Sequence, residues 1–578
     1  MILFSRVAAC AGIALVYCST ALPAPAQSAP DSTRDTVSVA PAARPADSVA
    51  KIQLPSLTLV TAHEVDRMRA NQLAKGVAPG QSLLLRSASS LATPPALGKR
   101  WIAGELIYPQ LLFVRNSGLP FSQNNSSLWA GRGISTRALL GFRLEAPHFS
   151  FVFAPQVVAS ENSYWLTNHN YFQPLIPLSY IGRGFTFPYY FYTFPIDQPL
   201  SFGSRRIRSF DLGESTALLH AGGVQLGISN ENQWWGPGIR NAMLLSNNAP
   251  GFPHVFLRTG RPIMTPAGGL ELRWLAGALT ESRYFDSVST NDTRSLAAIG
   301  AALQMRWDPN LTIGFARSVY ATAEKWEQIP GRLGDVFKGA TQANSEVLAD
   351  IAKDKPITLN GRDQLFSLFA RWVFPSSGAE VYSEWGRTRP PKSVSDFLKT
   401  PNHTQGYTIG MQWRGEPWGG GTVRGQAEVT QLEQSATFRD GPVGSWYTSN
   451  RVLQGYTNRG HIIGASIGPG ASSQFVALDY LKSSWQLGAF AGRIRWNEDV
   501  HSTFGFPDFV SYCNHDVSIY PGLRGALFGG FGSISAELTL QNRLNLLFQN
   551  KGGCPNNGVR LDLRTTSLKV GMTAFKYR

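Results

Sequence analysis

Three stretches of the chain alternate strictly between apolar and polar residues: 406–414 (GYTIGMQWR), 422–430 (TVRGQAEVT) and 533–541 (SISAELTLQ). A period of two indicates a β-strand with one apolar and one polar face. Strands of about ten residues with this alternation are typical of transmembrane β-barrels, whose apolar side chains face lipid. A soluble β-sandwich or propeller gives the same alternation with its apolar face turned inward, so the pattern alone leaves both open.

Three further features favour the barrel. Polar strand faces carry charged residues, and the links between strands alternate between short and long. Tryptophans stand near strand ends, which suits the aromatic girdles of a membrane barrel. These tryptophans are Trp307, Trp372, Trp385, Trp413 and Trp496.

Composition excludes several other classes of protein. The 578 residues contain 16% charged side chains, below the roughly 25% of ordinary globular domains. The mean hydropathy of −0.12 is too polar for a bundle of transmembrane helices. Basic residues number 53 against 38 acidic ones, giving a net charge of +15. This excess reflects either a generally basic surface or an anionic partner.

The N-terminus predicts export, which argues against a nucleic-acid partner. Arg6 precedes an apolar run at 7–18, and Ala24-Pro25-Ala26 offers a cleavage site before Gln27. We therefore expect a protein of the cell outer membrane with the following parts. They are a signal peptide at 1–26, a disordered Ala/Pro/Ser-rich linker at 27–50, an N-terminal helical segment at 51–100, and a barrel with an inserted plug and surface loops at 101–578.

Within the helical segment, Thr61 and Glu64 form a capping box, which predicts a helix from Ala62 to Lys75 that Gly76 ends. The later alternating segments predict eighteen antiparallel strands. They lie at about 103–115, 135–146, 149–160, 218–230, 270–283, 296–308, 311–321, 364–374, 378–388, 405–414, 421–433, 445–454, 461–468, 473–482, 485–497, 522–530, 533–549 and 566–577.

With both chain ends on the periplasmic side, most short links fall there and most long links fall outside. Two links break this rule: 231–269 is long yet periplasmic, and 469–472 is short yet extracellular.

Cysteine usage predicts one disulfide. Cys10 and Cys18 leave with the signal peptide, so Cys513 and Cys554 remain in an oxidising compartment. In the strand pattern above, both fall in links at the extracellular end. Two free thiols are the alternative. Cysteine and histidine spacing predicts no metal site, and we expect no cofactor.

One motif carries a family resemblance. Residues 234–238 (WWGPG) follow a predicted strand and precede 244–250 (LLSNNAP). Together with 211–219 (DLGESTALL), 379–386 (AEVYSEWG) and 454–464 (QGYTNRGHIIG), this resembles the capsule assembly Wzi family of outer-membrane proteins. The resemblance implies an eighteen-stranded all-β transmembrane barrel with a small helical part at its periplasmic end, and the strand count above is read with that number in view. It also implies a lectin-like role at the cell surface.

The motif region supplies the candidate binding residues. Aromatic rings can stack on sugar rings, Asn amides can pair with hydroxyl groups, and Arg can bind carboxylates. The alternative is structural: a fixed Gly-Pro-Gly turn with tryptophans packed in a lumen plug, which we favour because surface loops more often carry binding. The candidates are Trp234, Trp235, Arg240, Asn247, Asn248 and Arg258.

We therefore expect an outer-membrane, lectin-like barrel that binds capsular or other surface polysaccharide, acidic if the arginines contact it. Its other partner is membrane lipid, and we expect a monomer and no enzyme activity. Glu380 and Glu384 share one strand face and could form a catalytic carboxylate pair. Two glutamates that face arginines in a barrel lumen are the commoner arrangement. The alternative function is a diffusion channel, which a plug at 231–269 argues against.

Overall fold

The structure is a computed structural model, and it describes residues 62–574 apart from 166–195, 204, 286–288, 290, 324, 339–360, 392, 417–419, 440–443, 450, 500–514, 531 and 549–561. Its α-helices are α1 (Ala62–Lys75), α2 (Ala88–Leu91) and α3 (Val394–Lys399). Short 3₁₀ helices lie at Trp326–Gln328, Pro330–Arg332, Asp335–Phe337, Ala436–Arg439 and Leu546–Phe548. No helix within the described ranges has the length and apolar content needed to cross a membrane.

Eighteen antiparallel strands close into one barrel, as predicted. Each strand pairs with the next along the chain, and the last pairs with the first from Gln110↔Thr573 to Asn116↔Ser567. The strands are β1 (Ala103–Asn116), β2 (Gly133–Ala146), β3 (Phe149–Phe153 and Gln156–Ser160), β4 (Ile207–Asp211 and Thr216–Ala221), β5 (Val224–Ser229), β6 (His254–Thr259 and Ile263–Thr265), β7 (Gly268–Thr280), β8 (Thr293–Met305), β9 (Leu311–Ala323), β10 (Arg362–Phe374), β11 (Ala379–Arg387), β12 (Gln405–Gly415), β13 (Thr422–Gln431), β14 (Ser472–Leu481), β15 (Trp485–Arg495), β16 (Val517–Gly529), β17 (Gly532–Leu544) and β18 (Leu563–Ala574).

Side-chain exposure along the strands decides between a barrel and a soluble sandwich. On β12, the polar side chains of Thr408 and Gln412 are 0% exposed, whereas Ile409 and Met411 are 53% and 50% exposed. A soluble sheet buries its apolar face, because water drives that burial. Here the apolar face is the exposed one, as lipid contact requires.

Two predicted strands are wrong and two barrel segments were not predicted, although the predicted number is right. Residues 445–454 and 461–468 are not barrel strands, and 207–211 and 254–259 are. Residues 218–230 form a hairpin, the end of β4 and all of β5, around Gly222 and Gly223. Both glycines have positive φ, 55° and 89°, as a two-residue hairpin turn of this hand requires.

With these corrections the link lengths follow one rule. Every link of six residues or fewer lies at one end of the barrel, which we call the short-turn end; every longer link lies at the other, the long-loop end. The two predicted exceptions disappear, because β6 occupies part of 231–269 and the link before β14 spans 432–471.

Helix α1 has the predicted bounds and lies inside the barrel near the short-turn end. Arg69 Nε donates to Glu380 Oε1 on β11 at 2.7 Å, and Asp66 pairs with Arg424 on β13 at 2.8 Å. Gly76 follows with φ +78°, and the backbone N–H of Val77 donates to Asn310 Oδ1 in the turn between β8 and β9. The capping residue Thr61 lies outside the described residues.

Of the predicted girdle tryptophans, Trp496 does not face lipid. Its Nε1 donates to Ser518 Oγ at 2.8 Å, and Ser518 lies on the inner face of β16. Trp307 and Trp413 are exposed near the short-turn end, 70% and 46% respectively, where a girdle belongs.

Candidate functional site

The link between β5 and β6, residues 230–253, turns into the barrel lumen. Gln233–Trp235 pairs with Leu85–Ser87 as a two-stranded ladder, and Trp234 and Trp235 are 6% and 1% exposed. Gly236 has φ +108°, and a Cβ there would lie 2.6 Å from Glu384 Oε2. The positive φ favours glycine here, and the tryptophan motif forms a buried turn against β11.

A carboxylate on the barrel wall holds the next part of this link. Glu428, on the inner face of β13, accepts backbone N–H bonds from Ile239 at 2.5 Å, Arg240 at 3.1 Å and Asn241 at 2.9 Å. Tyr382 Oη also donates to Glu428 Oε2, at 2.9 Å. Successive backbone N–H groups form a concave anion site, and here a fixed side chain fills it.

The link between β13 and β14, residues 432–471, packs over the first one. Tyr447 Oη donates to the carbonyl of Met243 at 2.8 Å, and Ser246 Oγ donates to the carbonyl of Gly464 at 2.6 Å. Residues of both links belong to one buried apolar cluster with inward side chains of the strands. The predicted strands at 445–454 and 461–468 are therefore parts of a core inside the barrel.

The two glutamates of β11 are engaged within this interior. Glu380 lies between Arg69 and Arg371, at 2.7 Å and 2.6 Å. Glu384 accepts the backbone N–H of Met243 at 3.3 Å. Glu380 thus has the arginine partners that we expected, whereas Glu384 holds the inward link.

The six candidate binding residues do not form one site. Trp235 lies in the lumen core. Trp234 and Asn247 line an internal cavity of about 170 Å³ that also touches α1. The Arg240 guanidinium lies 4.6 Å from the ring centre of Phe475. Arg258 donates to Gln225 at 2.6 Å and lies 3.8 Å from Glu231. Asn248 alone among the six lines a cavity at the long-loop end.

That cavity, which we call the aromatic cleft, has a volume of about 100 Å³. Five aromatic side chains line it from four different links: Phe121, Trp129, Trp165, His461 and Trp496. Trp129 packs against Phe202 with ring centres 4.9 Å apart, and Phe202 stacks on His461 at 5.0 Å. The cleft therefore presents ring faces that the rest of the long-loop end holds in place.

Two buried polar atoms of the cleft have no partner among the described residues. They are Nε1 of Trp165, a donor, and Oε1 of Gln541, an acceptor; the two side chains are 5% and 4% exposed. Leaving a buried polar atom unpaired costs about 1–3 kcal/mol. A hydroxyl group can both donate and accept, so it can satisfy either atom.

The cleft offers little free charge. Arg543 lines it, but its Nε and Nη2 donate to the two oxygens of Asp516 at 2.8 Å and 2.7 Å. Asn248 contributes an amide whose Nδ2 donates to the carbonyl of Ile462 at 2.9 Å. Chemically, the site combines apolar ring faces with neutral hydrogen-bonding groups, as sugar recognition requires.

Sequence reasoning missed the cleft apart from Asn248. Its residues come from five separate links and the end of one strand, β17, so no local spacing joins them. The long links predicted the end of the barrel at which binding groups gather, but not which side chains meet.

Both predicted disulfide partners, Cys513 and Cys554, lie outside the described residues. The links that contain them, 496–516 and 545–562, both belong to the long-loop end, as the strand pattern predicted.

Comparison with known proteins agrees with the motif. Residues 122–357 match the family model described as capsule assembly protein Wzi. No curated protein matches the chain. Among solved structures, Wzi of Escherichia coli, an outer membrane protein involved in group 1 capsule assembly and a carbohydrate-binding β-barrel, is similar with 11% identity and a TM-score of 0.50. The match covers 81% of this chain and 85% of that one.

Two further barrels are similar at lower TM-scores. OccK2 of Pseudomonas aeruginosa has 10% identity and a TM-score of 0.34, covering 82% of this chain and 98% of that one. OprB of Pseudomonas putida has 11% identity and a TM-score of 0.35, covering 82% and 94%. The chain is a β-barrel protein of the cell outer membrane. The family match spans residues 122–357 and includes the tryptophan motif, so this part of the chain resembles the capsule assembly protein Wzi family.

Proposed function

We propose that this barrel binds capsular or other surface polysaccharide at the aromatic cleft and helps to assemble or retain the capsule. The observation that carries the proposal is the pair of unpartnered buried atoms, Trp165 Nε1 and Gln541 Oε1, among aromatic rings at the long-loop end. The family match and the carbohydrate-binding barrel of Escherichia coli support it.

One sugar residue enters the cleft while the rest of the polymer stays outside, because about 100 Å³ is small beside the roughly 300–1,000 Å³ of pockets that enclose whole ligands. Its C–H face stacks on Trp129 or Phe121, and its hydroxyl groups pair with Trp165 and Gln541. Since Asp516 neutralises Arg543, the cleft itself selects hydroxyl groups and needs no acidic sugar.

We also propose how the mature protein is produced and assembled. A signal peptide at 1–26 exports it, Cys513 and Cys554 form a disulfide that joins two neighbouring long links, and the barrel acts as a monomer. It catalyses no reaction. A diffusion channel is disfavoured by the two links that fold into the lumen, 230–253 and 432–471.

Removing the polar atoms of the cleft tests the proposal. Trp165→Phe deletes the donor and keeps most of the ring, and Gln541→Leu deletes the acceptor. Each change is expected to weaken binding of purified capsular polysaccharide by about threefold to tenfold, the equivalent of one hydrogen bond. Isothermal titration with the full chain in detergent measures the affinity.

Trp307→Phe is the matched control, because this tryptophan is exposed at the opposite end of the barrel. It should bind as the unmodified protein does. Salt between 0.1 and 1 M should change the affinity little, since screening acts on charges. Unchanged binding by both cleft variants would refute the proposed site.

A further inference from the structure

The outer surface of the barrel carries an uneven distribution of arginines. Six exposed ones gather at the long-loop end of strands β18, β1, β2 and β4 and in the links beside them, and we call this set the basic rim. It consists of Arg115, Arg132, Arg205, Arg206, Arg208 and Arg564. These strands are adjacent around the barrel with β3 between β2 and β4, so the six residues share one side of it.

Strand register places the rim residues close to one another. Arg115 is level with Ile134 on β2 and Leu568 on β18. Ala159 of β3 pairs with both Thr136 and Arg208, and Thr136 follows Ile134 by two residues on β2. Arg208 therefore lies on the same outer face as Arg115, two residues closer to the short-turn end. Three strand spacings of about 4.8 Å separate them around the barrel, roughly 14 Å.

The basic rim borders lipid. Its neighbours on the same face are apolar and exposed: Ile134 by 40%, Leu568 by 36% and Phe210 by 64%. A cation beside hydrocarbon is costly unless an anion accompanies it or its long side chain reaches the interface. The rim therefore lies at the boundary between the apolar band and the headgroup layer.

Protein carboxylates do not neutralise this rim. Within the described part of the chain, none of the six arginines forms an ion pair; Arg132 Nη1 donates instead to the carbonyl of Tyr164 at 2.7 Å. The nearby carboxylates are Glu161, which accepts the backbone N–H of Ile134, and Asp562, which accepts that of Asn545.

Three other arginines at the long-loop end have carboxylate partners. Arg459 binds Asp211 at 2.6 Å, Arg362 lies 3.7 Å from Asp335, and Arg495 binds Glu433. The basic rim is thus the place where six exposed arginines without carboxylate partners lie on adjacent strands and links, although Arg283, elsewhere at this end, also donates to a tyrosine hydroxyl instead of a carboxylate.

We propose that the basic rim binds the phosphate groups of a phosphorylated glycolipid in the outer leaflet of the membrane. Guanidinium groups bind phosphate oxygens as a two-pronged fork, and several such groups on a rigid sheet hold a multiply charged headgroup. The apolar neighbours contact the acyl chains of the same lipid. A soluble polysaccharide fits less well, because the rim faces outward at the level of lipid whereas the aromatic cleft lies within the ring of links.

The test measures binding of bisphosphorylated lipid A to the full chain in a neutral detergent, by native mass spectrometry. The rim variant is Arg115→Gln with Arg208→Gln and Arg564→Gln. The control variant carries the same change at three exposed arginines of the short-turn end, Arg100, Arg261 and Arg306. We expect at least about tenfold weaker binding for the rim variant, because it lacks three of the charges that attract the anionic headgroup, and no change for the control.

Lipid A stripped of phosphate should bind all three proteins equally weakly, and added salt should weaken binding of the intact lipid. A second variant, Arg132→Gln with Arg206→Gln, should weaken it as well. Equal loss in the rim and control variants would overturn the proposal, as would undiminished binding of phosphate-free lipid. A rim variant that keeps lipid A but loses acidic polysaccharide would assign the rim to the polymer, and one that loses only inorganic phosphate would assign it to the free ion.

Discussion

Asp197 joins three of the long links through one buried carboxylate. Its oxygens accept the backbone N–H of Ser282 at 2.7 Å, the hydroxyl of Ser282 at 2.5 Å and the backbone N–H of Gly460 at 3.1 Å. Burial raises the pKa of Asp197 from 3.8 to about 6, although Arg294 and these hydrogen bonds lower it. The long-loop end is therefore sensitive to pH in a range that a cell surface meets.

The sign of this effect follows from proton linkage. The folded state binds the Asp197 proton more tightly than the unfolded state, so the contribution to stability is complete below pH 3.8 and is lost as pH rises through about 6. The upper limit of the change is about 3 kcal/mol. We predict slower amide exchange of residues 196–200, 281–285 and 458–462 at pH 5 than at pH 7.5, after correction for intrinsic exchange rates.

Asp197→Asn mimics the neutral side chain and should remove this pH difference. Hydrogen–deuterium exchange with mass spectrometry measures it, and residues 405–415 of β12 serve as an internal reference that should not change. A pH difference that persists in Asp197→Asn would assign the effect to another group.

At the scale of elements, strand prediction succeeded where both faces follow the period of two. Helix α1 and strands such as β12, β13 and β17 were predictable because local sequence alone determines their pattern. Strand β6 was missed because its first part has only six residues. Phe256 faces inward and Leu257 faces outward, and since both are apolar, the alternation of apolar and polar residues is weak. The Gly222-Gly223 pair was a signal for the hairpin between β4 and β5, and it was read as strand interior.

The false strands have the opposite cause. Segments 445–454 and 461–468 contain apolar residues such as Val452 and Ile463, which are 0% and 3% exposed. Their partners are the other inward link and the strand interiors, far away in sequence. Local pattern cannot distinguish burial in a lumen core from burial in a membrane, so the predicted total of eighteen rested on errors that cancelled.

These two inward links lead to a prediction about conductance. The intact protein should show little steady current in a planar bilayer, because links 230–253 and 432–471 fill the lumen. Replacing 234–247 by a short Gly/Ser link removes the backbone groups that Glu428 holds and leaves β5 and β6 intact. We expect stable ohmic steps from this variant, since barrels of this strand number leave an aqueous channel when unfilled.

Replacing residues 394–399 of α3, in another long link, by the same Gly/Ser sequence is the control and should leave the protein closed. Large conductance from the unmodified barrel would contradict the packing of the two links. It would also favour the diffusion-channel alternative.

At the scale of the whole molecule, the inside of the barrel is polar and the outside is apolar. Inside, charged side chains such as Arg371, Glu380 and Arg424 pair in the lumen, where strands, helix α1 and the two links meet. Outside, leucines and isoleucines remain exposed, at a free-energy cost in water that a bilayer removes. This inversion identifies the fold more firmly than any single motif.

Leu368 lets this inversion be measured. It lies at the middle of β10, 52% exposed, beside Phe315 of β9 and Trp385 of β11 on the outer face. If lipid covers it, Leu368→Arg should reduce the free energy of unfolding by about 2–4 kcal/mol, the cost of arginine near the bilayer midplane. Leu527→Arg makes the same change near the short-turn end of β16 and should cost about 0–1 kcal/mol. Urea unfolding in lipid vesicles, followed by tryptophan fluorescence, gives both values. Equal and small losses would mean that water covers Leu368, because substitutions on a water-exposed surface usually change stability by no more than about 0.5 kcal/mol.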